Sequence, residues 1–481
     1  MGGVADQLRL MQSDRLGGLR RFNDDPGDIG RFAFVFGDVV LVNTPELVHE
    51  VLVAKAKSFE KSPILRGSLY PLAGEGLFTS EGDLWKRQRK LMAPMFHQGA
   101  IRHFAADMTA CAERAVGSWR DGQVVDMARE TTRITMAIAG RTLFSEDLFG
   151  DADELGAALT TALDWAGTQS SSVTLIVQAR VAIGLELLAD RLPASLGGAA
   201  RALADRAIVP ILWPGERTRD LKAALDLLER RVHAMIAERR TAASPPRDLL
   251  TLLLQARDED DGGVMTDKQV RDELLTLFVA GHETTATALA WSLMLLAQHP
   301  RVYERLRAEV DALAGAPTVD DLPRLELASR VFKEALRLFP PVYLFGRVAM
   351  ADVTVGDYAI PKGTVVLVSP FALHRRPELW SDADAFDPDR FLPEAEARRH
   401  KSAFIPFSAG PRTCIGNTFA LMEGPLVLAA ILQRADVELC DPKGAEPEPS
   451  ATLRPSGGIP MRVRLRQTRA ERFTPDVAST G

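Results

Sequence analysis

Cysteine is scarce in this chain. Only Cys111, Cys414 and Cys440 occur among 481 residues, and no two are spaced as CxxC. That spacing excludes a disulfide framework or a zinc knuckle and fits a reducing, cytoplasmic setting. An excess of positive charge is also missing: Lys+Arg 58 against Asp+Glu 64 leaves a net charge of -6, which argues against a nucleic-acid partner. Met1 to Arg21 carries charges throughout and lacks the apolar core of a signal peptide. Leu274 to Ala297 is apolar and long enough to cross a bilayer, yet it holds His282-Glu283 at its centre and several threonines. It reads as a buried core helix, so no membrane span is expected. What is present is ordinary globular material, 46% hydrophobic and 25% charged, enough for a sizeable core.

The hydrophobic pattern changes twice along the chain. Phe32, Phe34 and Phe36 alternate, Gly37-Asp38 offers a turn, and Val39 to Val42 follows, which predicts a hairpin. From Pro45 to Leu313 the period is helical, punctuated by prolines such as Pro193, Pro210 and Pro245-Pro246. Strand patterns return at Val353–Val355 and Val365–Val368, a helix is expected over Asn417–Gln433, and Val463 with Leu465 suggests a last strand. No repeat or long linker divides the chain. The expected fold is mainly α (α+β): one large, helix-rich domain with small sheets at one side.

Chemistry concentrates in a few short motifs. In Phe407-Ser-Ala-Gly410-Pro-Arg412-Thr-Cys414-Ile-Gly416, glycines and a proline break regular structure around one thiol. A thiolate presented by such a loop suits haem iron, pushing electron density into it in favour of O–O cleavage. Thr266 with Gln269 three residues on makes a capping box, and Pro300 closes the far end of a helix reaching to His299. Such a helix is about 50 Å long. At its middle stands Ala280-Gly281-His282-Glu283-Thr284-Thr285. Glycine and paired threonines are poor helix formers, so the ladder is expected to open locally beside an acid and a hydroxyl. Splitting an O–O bond consumes protons, and a carboxylate and a hydroxyl joined by water can relay them. A zinc HExxH reading fails, because position 286 is Ala286. Glu334 and Arg337 lie one helical turn apart; on a surface the pair would contribute only about 0.5 kcal/mol.

Taken together, these residues resemble the cytochrome P-450 monooxygenases, whose haem loop reads Phe-x-x-Gly-x-Arg-x-Cys-x-Gly. The resemblance runs from Phe32 to Arg464. It implies haem b as cofactor, with Cys414 as the iron ligand, Phe407 packed near the sulfur, and Gly410 and Gly416 giving backbone freedom. It makes Glu283 and Thr284 the oxygen-activating acid and hydroxyl. Trp85, Arg89, Arg347 and Arg412 become contacts of the haem propionates, each of which read alone is an ordinary surface residue. Glu334, Arg337 and, from Phe386-Asp-Pro-Asp-Arg390-Phe391, Arg390 form a structural triad. Residues 30–466 are the expected haem domain, with 1–29 an N-terminal extension and 467–481 a flexible tail. Cys111 and Cys440 are packing residues.

The same resemblance sets the expected partners. The stretch after Cys414 is too short for a flavin or iron–sulfur module, so electrons are expected from a separate ferredoxin or flavodoxin with an NAD(P)H-dependent reductase. Lys86, Arg87, Lys90, Arg398, Arg399 and Lys401 are candidate docking cations, although the same charges read equally as a solvated face. The pocket candidates are Leu277, Ala280, Val342, Leu344, Phe345 and Ile459, with Arg66 and Tyr70 as a candidate carboxylate anchor. Their apolar character suits O₂-dependent hydroxylation or epoxidation of a lipophilic terpenoid, fatty acid, steroid or polyketide. A non-hydroxylating rearrangement, dehydration or coupling on the same scaffold stays open, as does a haem sensor or carrier.

Overall fold

Thr266 starts the helix around which the molecule is built. Its hydroxyl accepts the Gln269 amide, and the Gln269 side chain accepts the Thr266 amide in return, so the capping box closes in both directions. The helix then runs without a break from Asp267 to Gln298. The expected opening of its ladder at the threonines is absent: the Thr284 hydroxyl donates to the Ala280 carbonyl at 2.7 Å, and the chain stays helical through it. The turn itself is only half-covered, and the long buried stretches on either side of it keep the helix continuous against its weak intrinsic propensity.

The computed structural model describes residues 14–24, 27–34, 37–150, 152–258 and 262–466. Helices dominate, as the period predicts, and most surround the central helix in one large hydrophobic cluster. Trp291 is fully buried on that helix, stacked on Phe339 with ring centroids 4.1 Å apart. Its indole N–H donates to the Leu453 carbonyl at 2.9 Å, and the Leu453 amide donates to the Pro341 carbonyl at 2.9 Å. The short hairpin Pro447–Pro449 with Leu453–Pro455 is thereby pinned against the middle of the helix.

The strands form small sheets, one packed into the main cluster and the largest on separate clusters. The largest orders its strands Ile29–Phe34, Gly37–Val42, Val365–Val368, Phe345–Ala349 and Phe59–Lys61, antiparallel except for the parallel pair Gly37–Val42 and Val365–Val368. Phe34 pairs with Gly37, so Gly37-Asp38 opens the second strand and the hairpin's turn falls on residues outside those described, Phe36 among them. Pro460–Leu465 pairs with both Ala435–Leu439 and Val124–Asp126, placing the expected last strand at the centre of a sheet. The strands Phe59–Lys61 and Val124–Asp126 lie inside the stretch read as helical; three residues carry no period, and distant partners recruit them. Residues 15–24 form a helix whose Leu19 is buried beside Leu41, Tyr343 and Phe371. Among the described residues no single helix is long and apolar enough to cross a membrane.

Candidate active site

The Cys414 loop is held by its own backbone and by the neighbouring chain. The Cys414 amide donates to the Phe407 carbonyl at 2.9 Å, and the Ser408 amide to the Ile405 carbonyl at 3.0 Å. Ser408 and Gly410 both adopt positive φ, 60° and 69°. At Gly410 a Cβ would sit 1.9 Å from the Leu52 carbonyl oxygen, so only glycine fits. Cys414 keeps accessible surface although the fold surrounds it. Burial pushes its thiol up, while the Gly416 amide and the Arg89 guanidinium favour the thiolate. Phe407 is half-buried against the main cluster.

The central helix opens on interior space at one place. Residues Val270–Phe278 and Thr285–Leu296 are buried, whereas Val279, Ala280, Gly281, Glu283 and Thr284 are half-exposed, and a Cβ on Gly281 would meet nothing within 4 Å. The Glu283 carboxylate accepts from the Thr452 hydroxyl at 3.0 Å. His282 points the other way, fully buried, with Nδ1 against the Phe278 carbonyl at 2.8 Å. Thr285 lies beside Glu423, whose carboxyl burial pushes up to about 8 against the opposing pull of the Thr285 hydroxyl. Glu423 belongs to the helix Asn417–Arg434, which starts three residues beyond Cys414. The two candidate motifs are thus tied together through their helices.

A cluster of cations lies beside the loop. Arg347 is buried over the Phe345 ring at 4.9 Å, and among the described residues its hydrogen-bond partners are the Gly346 carbonyl at 3.1 Å and the Ser408 hydroxyl at 3.5 Å. Burial drives its guanidinium down to about 10, with Arg412 adding repulsion and Glu81 opposing it. Arg412 pairs with Glu81 at 2.5 Å and covers the Trp85 ring at 4.8 Å, but its buried Nε has no hydrogen-bond partner. Lys61 lies 3.7 Å from Glu81, and burial lowers its ammonium to about 8. Burial works to raise Glu81, yet Lys61 and Arg412 hold it below the usual carboxylate range. Arg89 is partly buried and interacts with Cys414. Glu81 serves three of these cations and Glu60 acts on Arg412 as well, so two carboxylates face four cations and the cluster stays short of anions.

Glu334 and Arg337 are both fully buried and joined by two hydrogen bonds of 2.7 Å. Arg390 Nε lies 3.4 Å from Glu334, and Arg337 also donates to the carbonyls of His374, Ala383 and Ala385. Of the pocket candidates, Ala280 lies on the open turn. Val342 and Leu344 are half-buried against smaller clusters, while Leu277, Phe345 and Ile459 are buried in packed core. The Arg66 guanidinium is engaged by the Thr79 carbonyl at 2.8 Å. Among the six docking cations, Arg87 and Lys90 share Asp258, at 3.0 and 3.8 Å, and Lys86 pairs with Asp83. Arg399 packs over Trp380 at 4.1 Å, which leaves Arg398 and Lys401 exposed.

Residues 5–461 match the Cytochrome P450 family model. The chain belongs to the cytochrome P450 family. It is 33% identical over 412 residues to cyclooctatin synthase of Streptomyces melanosporofaciens, covering 85% of this chain and 83% of that protein. It is 35% identical over 393 residues to cyclooctat-9-en-7-ol 5-monooxygenase of the same organism, covering 81% and 78%. Pentalenene oxygenase of Streptomyces avermitilis is 33% identical over 430 residues, covering 88% and 86%. The crystal structure of the cytochrome P450DA heme domain superposes with a TM-score of 0.78 at 29% identity, covering 98% of this chain and 95% of that one.

This cytochrome P450 is therefore a monooxygenase, and members of the family bind haem b. The residues present fit that group. An accessible thiol stands in a fixed loop, and the cations beside it outnumber their carboxylates, a deficit that two propionates would fill. Sequence reading missed Thr452, Glu81, Lys61 and Glu423, because each meets its partner through the fold. Thr452 and Glu283, for example, stand 169 residues apart.

Proposed function

We propose that this cytochrome P450 hydroxylates or epoxidises a lipophilic small molecule, a terpenoid in the first instance, with Cys414 as the haem ligand. The observation that carries the reading is the central helix, buried for most of its length and open at the Glu283–Thr284 turn. Relatives named for cyclooctat-9-en-7-ol and pentalenene favour the terpenoid within the lipophilic class. Haem b, when bound, supplies the activation of O₂.

The chain's own residues do the rest. Cys414 presents sulfur from a rigid loop, and the Gly416 amide and Arg89 favour its charged form. Arg347 and Arg412, with Trp85 and Arg89, would hold the propionates, which would supply anions that their cluster lacks. Glu283 is oriented by Thr452 through one oxygen, which leaves the other free to hold a proton for a water. Thr284 donates to the Ala280 carbonyl, so its oxygen lone pairs face that water as acceptors. A proton leaving Glu283 would cross that water to the Thr284 oxygen, while the Thr284 hydroxyl hydrogen turns off the Ala280 carbonyl to be donated into the pocket. The half-exposed Val279–Gly281 turn and Val342 and Leu344 contribute apolar walls that exclude bulk water.

Residues 30–466 form the haem domain in this reading, with 1–29 and 467–481 as terminal extensions of a cytoplasmic protein. Electrons come from a ferredoxin or flavodoxin with its NAD(P)H-dependent reductase, steered by Arg398, Lys401 and the salt-bridged Lys86, Arg87 and Lys90. The test is Thr284→Ala with surrogate ferredoxin and reductase, O₂ and a terpenoid library. The expected result is reductant consumption diverted from product to hydrogen peroxide. Unchanged coupling would remove Thr284 from the mechanism.

A further inference from the structure

His374 stands between the buried ion pair and the Cys414 loop, and nothing in its local sequence assigns it a role. It follows the short helix Pro370–Leu373 and is fully buried. Its Nε2 lies 2.9 Å from the Ile405 backbone nitrogen. An amide N–H only donates, so Nε2 carries the lone pair and the ring proton sits on Nδ1. That Nδ1 faces the Arg337 carbonyl oxygen at 3.3 Å. Arg337 donates back to the His374 carbonyl at 2.8 Å, so the two residues exchange hydrogen bonds.

Each link continues in both directions. Arg337 is locked by Glu334 through two bonds of 2.7 Å. The Ile405 carbonyl accepts the Ser408 amide at 3.0 Å, and the Phe407 carbonyl accepts the Cys414 amide at 2.9 Å. Phe404 packs on the imidazole at 5.2 Å between centroids and Trp380 at 6.3 Å. The charged groups that act on the ring are Arg337, Arg375 and Arg399, all cations. A second ring proton would add a buried charge among them and remove the acceptor of the Ile405 amide. The imidazole is therefore held neutral in one tautomer.

We propose that His374 is a positioning residue for the Cys414 loop, carrying the constraint of the Glu334–Arg337 pair to the Ile405 amide and so fixing where the loop presents its thiolate. The loop needs an outside anchor, since it holds Ser408 and Gly410 at positive φ, and Ser408 is not relieved by being glycine. The proposal rests on the reading of Cys414 as haem ligand.

Two variants divide the imidazole's duties. In His374→Gln the side-chain amide reaches the Nε2 position and can accept from Ile405; in His374→Asn it reaches only the Nδ1 position and keeps the Arg337 contact. Hydrogen–deuterium exchange of the 402–409 peptide and the reduced, CO-bound spectrum are read for both, beside Cys414→Ser. The expected result is exchange about tenfold faster at Ile405 in His374→Asn, with much of its thiolate band lost, and near-normal behaviour in His374→Gln. Equal behaviour of the two variants, or loss in His374→Gln alone, overturns the proposal. A thiolate band that survives in Cys414→Ser instead overturns the ligand reading on which it rests.

Discussion

Thr452 donates its hydroxyl hydrogen to a carboxylate oxygen of Glu283 at 3.0 Å, joining a hairpin near the C-terminus to the middle of the central helix. Trp291 and Pro341 clamp that hairpin through Leu453, so the hydroxyl arrives from a rigid support. The acid of the proposed relay is therefore aimed by a residue far outside its motif. Thr452→Val keeps the shape and removes the donor, at a cost of about 1 kcal/mol in orientation. We expect a several-fold rise in peroxide formed per reductant consumed, with Thr452→Ser close to the parent. Unchanged peroxide yield in the valine variant would remove Thr452 from the relay.

Arg347 is a buried cation with too few partners, and its removal should act oppositely on the two forms of the protein. In the apoprotein Arg347→Leu relieves an uncompensated charge, a gain of order 1–3 kcal/mol against urea. In the haem-loaded protein it would delete the proposed propionate contact, and haem transfer to an acceptor protein should quicken by about tenfold or more. Parallel urea and haem-transfer measurements check both signs.

Glu273 gives the stability a pH dependence of calculable sign. It is fully buried on the central helix, with one oxygen accepting the Leu77 amide at 2.9 Å and the other, like the Thr276 hydroxyl one turn on, without a hydrogen-bond partner. Burial pushes the carboxyl up to about 8, against the opposing pull of the Leu77 amide. The folded state therefore holds a proton that the unfolded chain releases above about 4.5. Stability is lost as pH rises from there towards 8 and levels off above it. At pH 7 the effect is of order 3 kcal/mol. Glu273→Gln should flatten this part of the profile in urea denaturation while keeping the acceptor for Leu77.

Breaking the Glu334–Arg337 pair strands one buried charge. Either Glu334→Ala or Arg337→Ala should cost about 3–5 kcal/mol, and the double variant less than the sum. Thermal unfolding of the three variants measures that coupling.

Gly410→Ala meets two obstacles at once, a φ of 69° and a Cβ 1.9 Å from the Leu52 carbonyl oxygen. Backbone must move to admit it, and the loop moves with it. The expected outcome is soluble protein that fails to give the thiolate band on reduction with CO. A normal band would show that the loop tolerates the displacement.

Several elements are legible in the residues themselves, through local chemistry. The Thr266–Gln269 box and Pro300 bracket the central helix to within a residue, because capping and proline effects act over a single turn. Gly410 and Pro411 mark a loop for the same reason. The weak propensity of Gly281, Thr284 and Thr285 points to an opened ladder, and there the rest of the helix prevails: the buried stretches on either side outweigh the roughly 0.7–1 kcal/mol per residue by which such residues disfavour helix. The strands Phe59–Lys61 and Val124–Asp126 leave no such trace, being too short to show alternation.

By itself, then, the sequence determined the helices and loops, the family, and which short segments carry the sulfur, the acid and the hydroxyl. Those depend on neighbours a few residues apart. Tertiary structure alone decided that Thr452 aims Glu283, that Arg347 and Arg412 lie together with too few anions, and that His374 joins Arg337 to Ile405. Hydrogen bonds and charges act over ångströms of space regardless of chain separation, so the groups that tune each reactive residue leave no mark in the sequence around it.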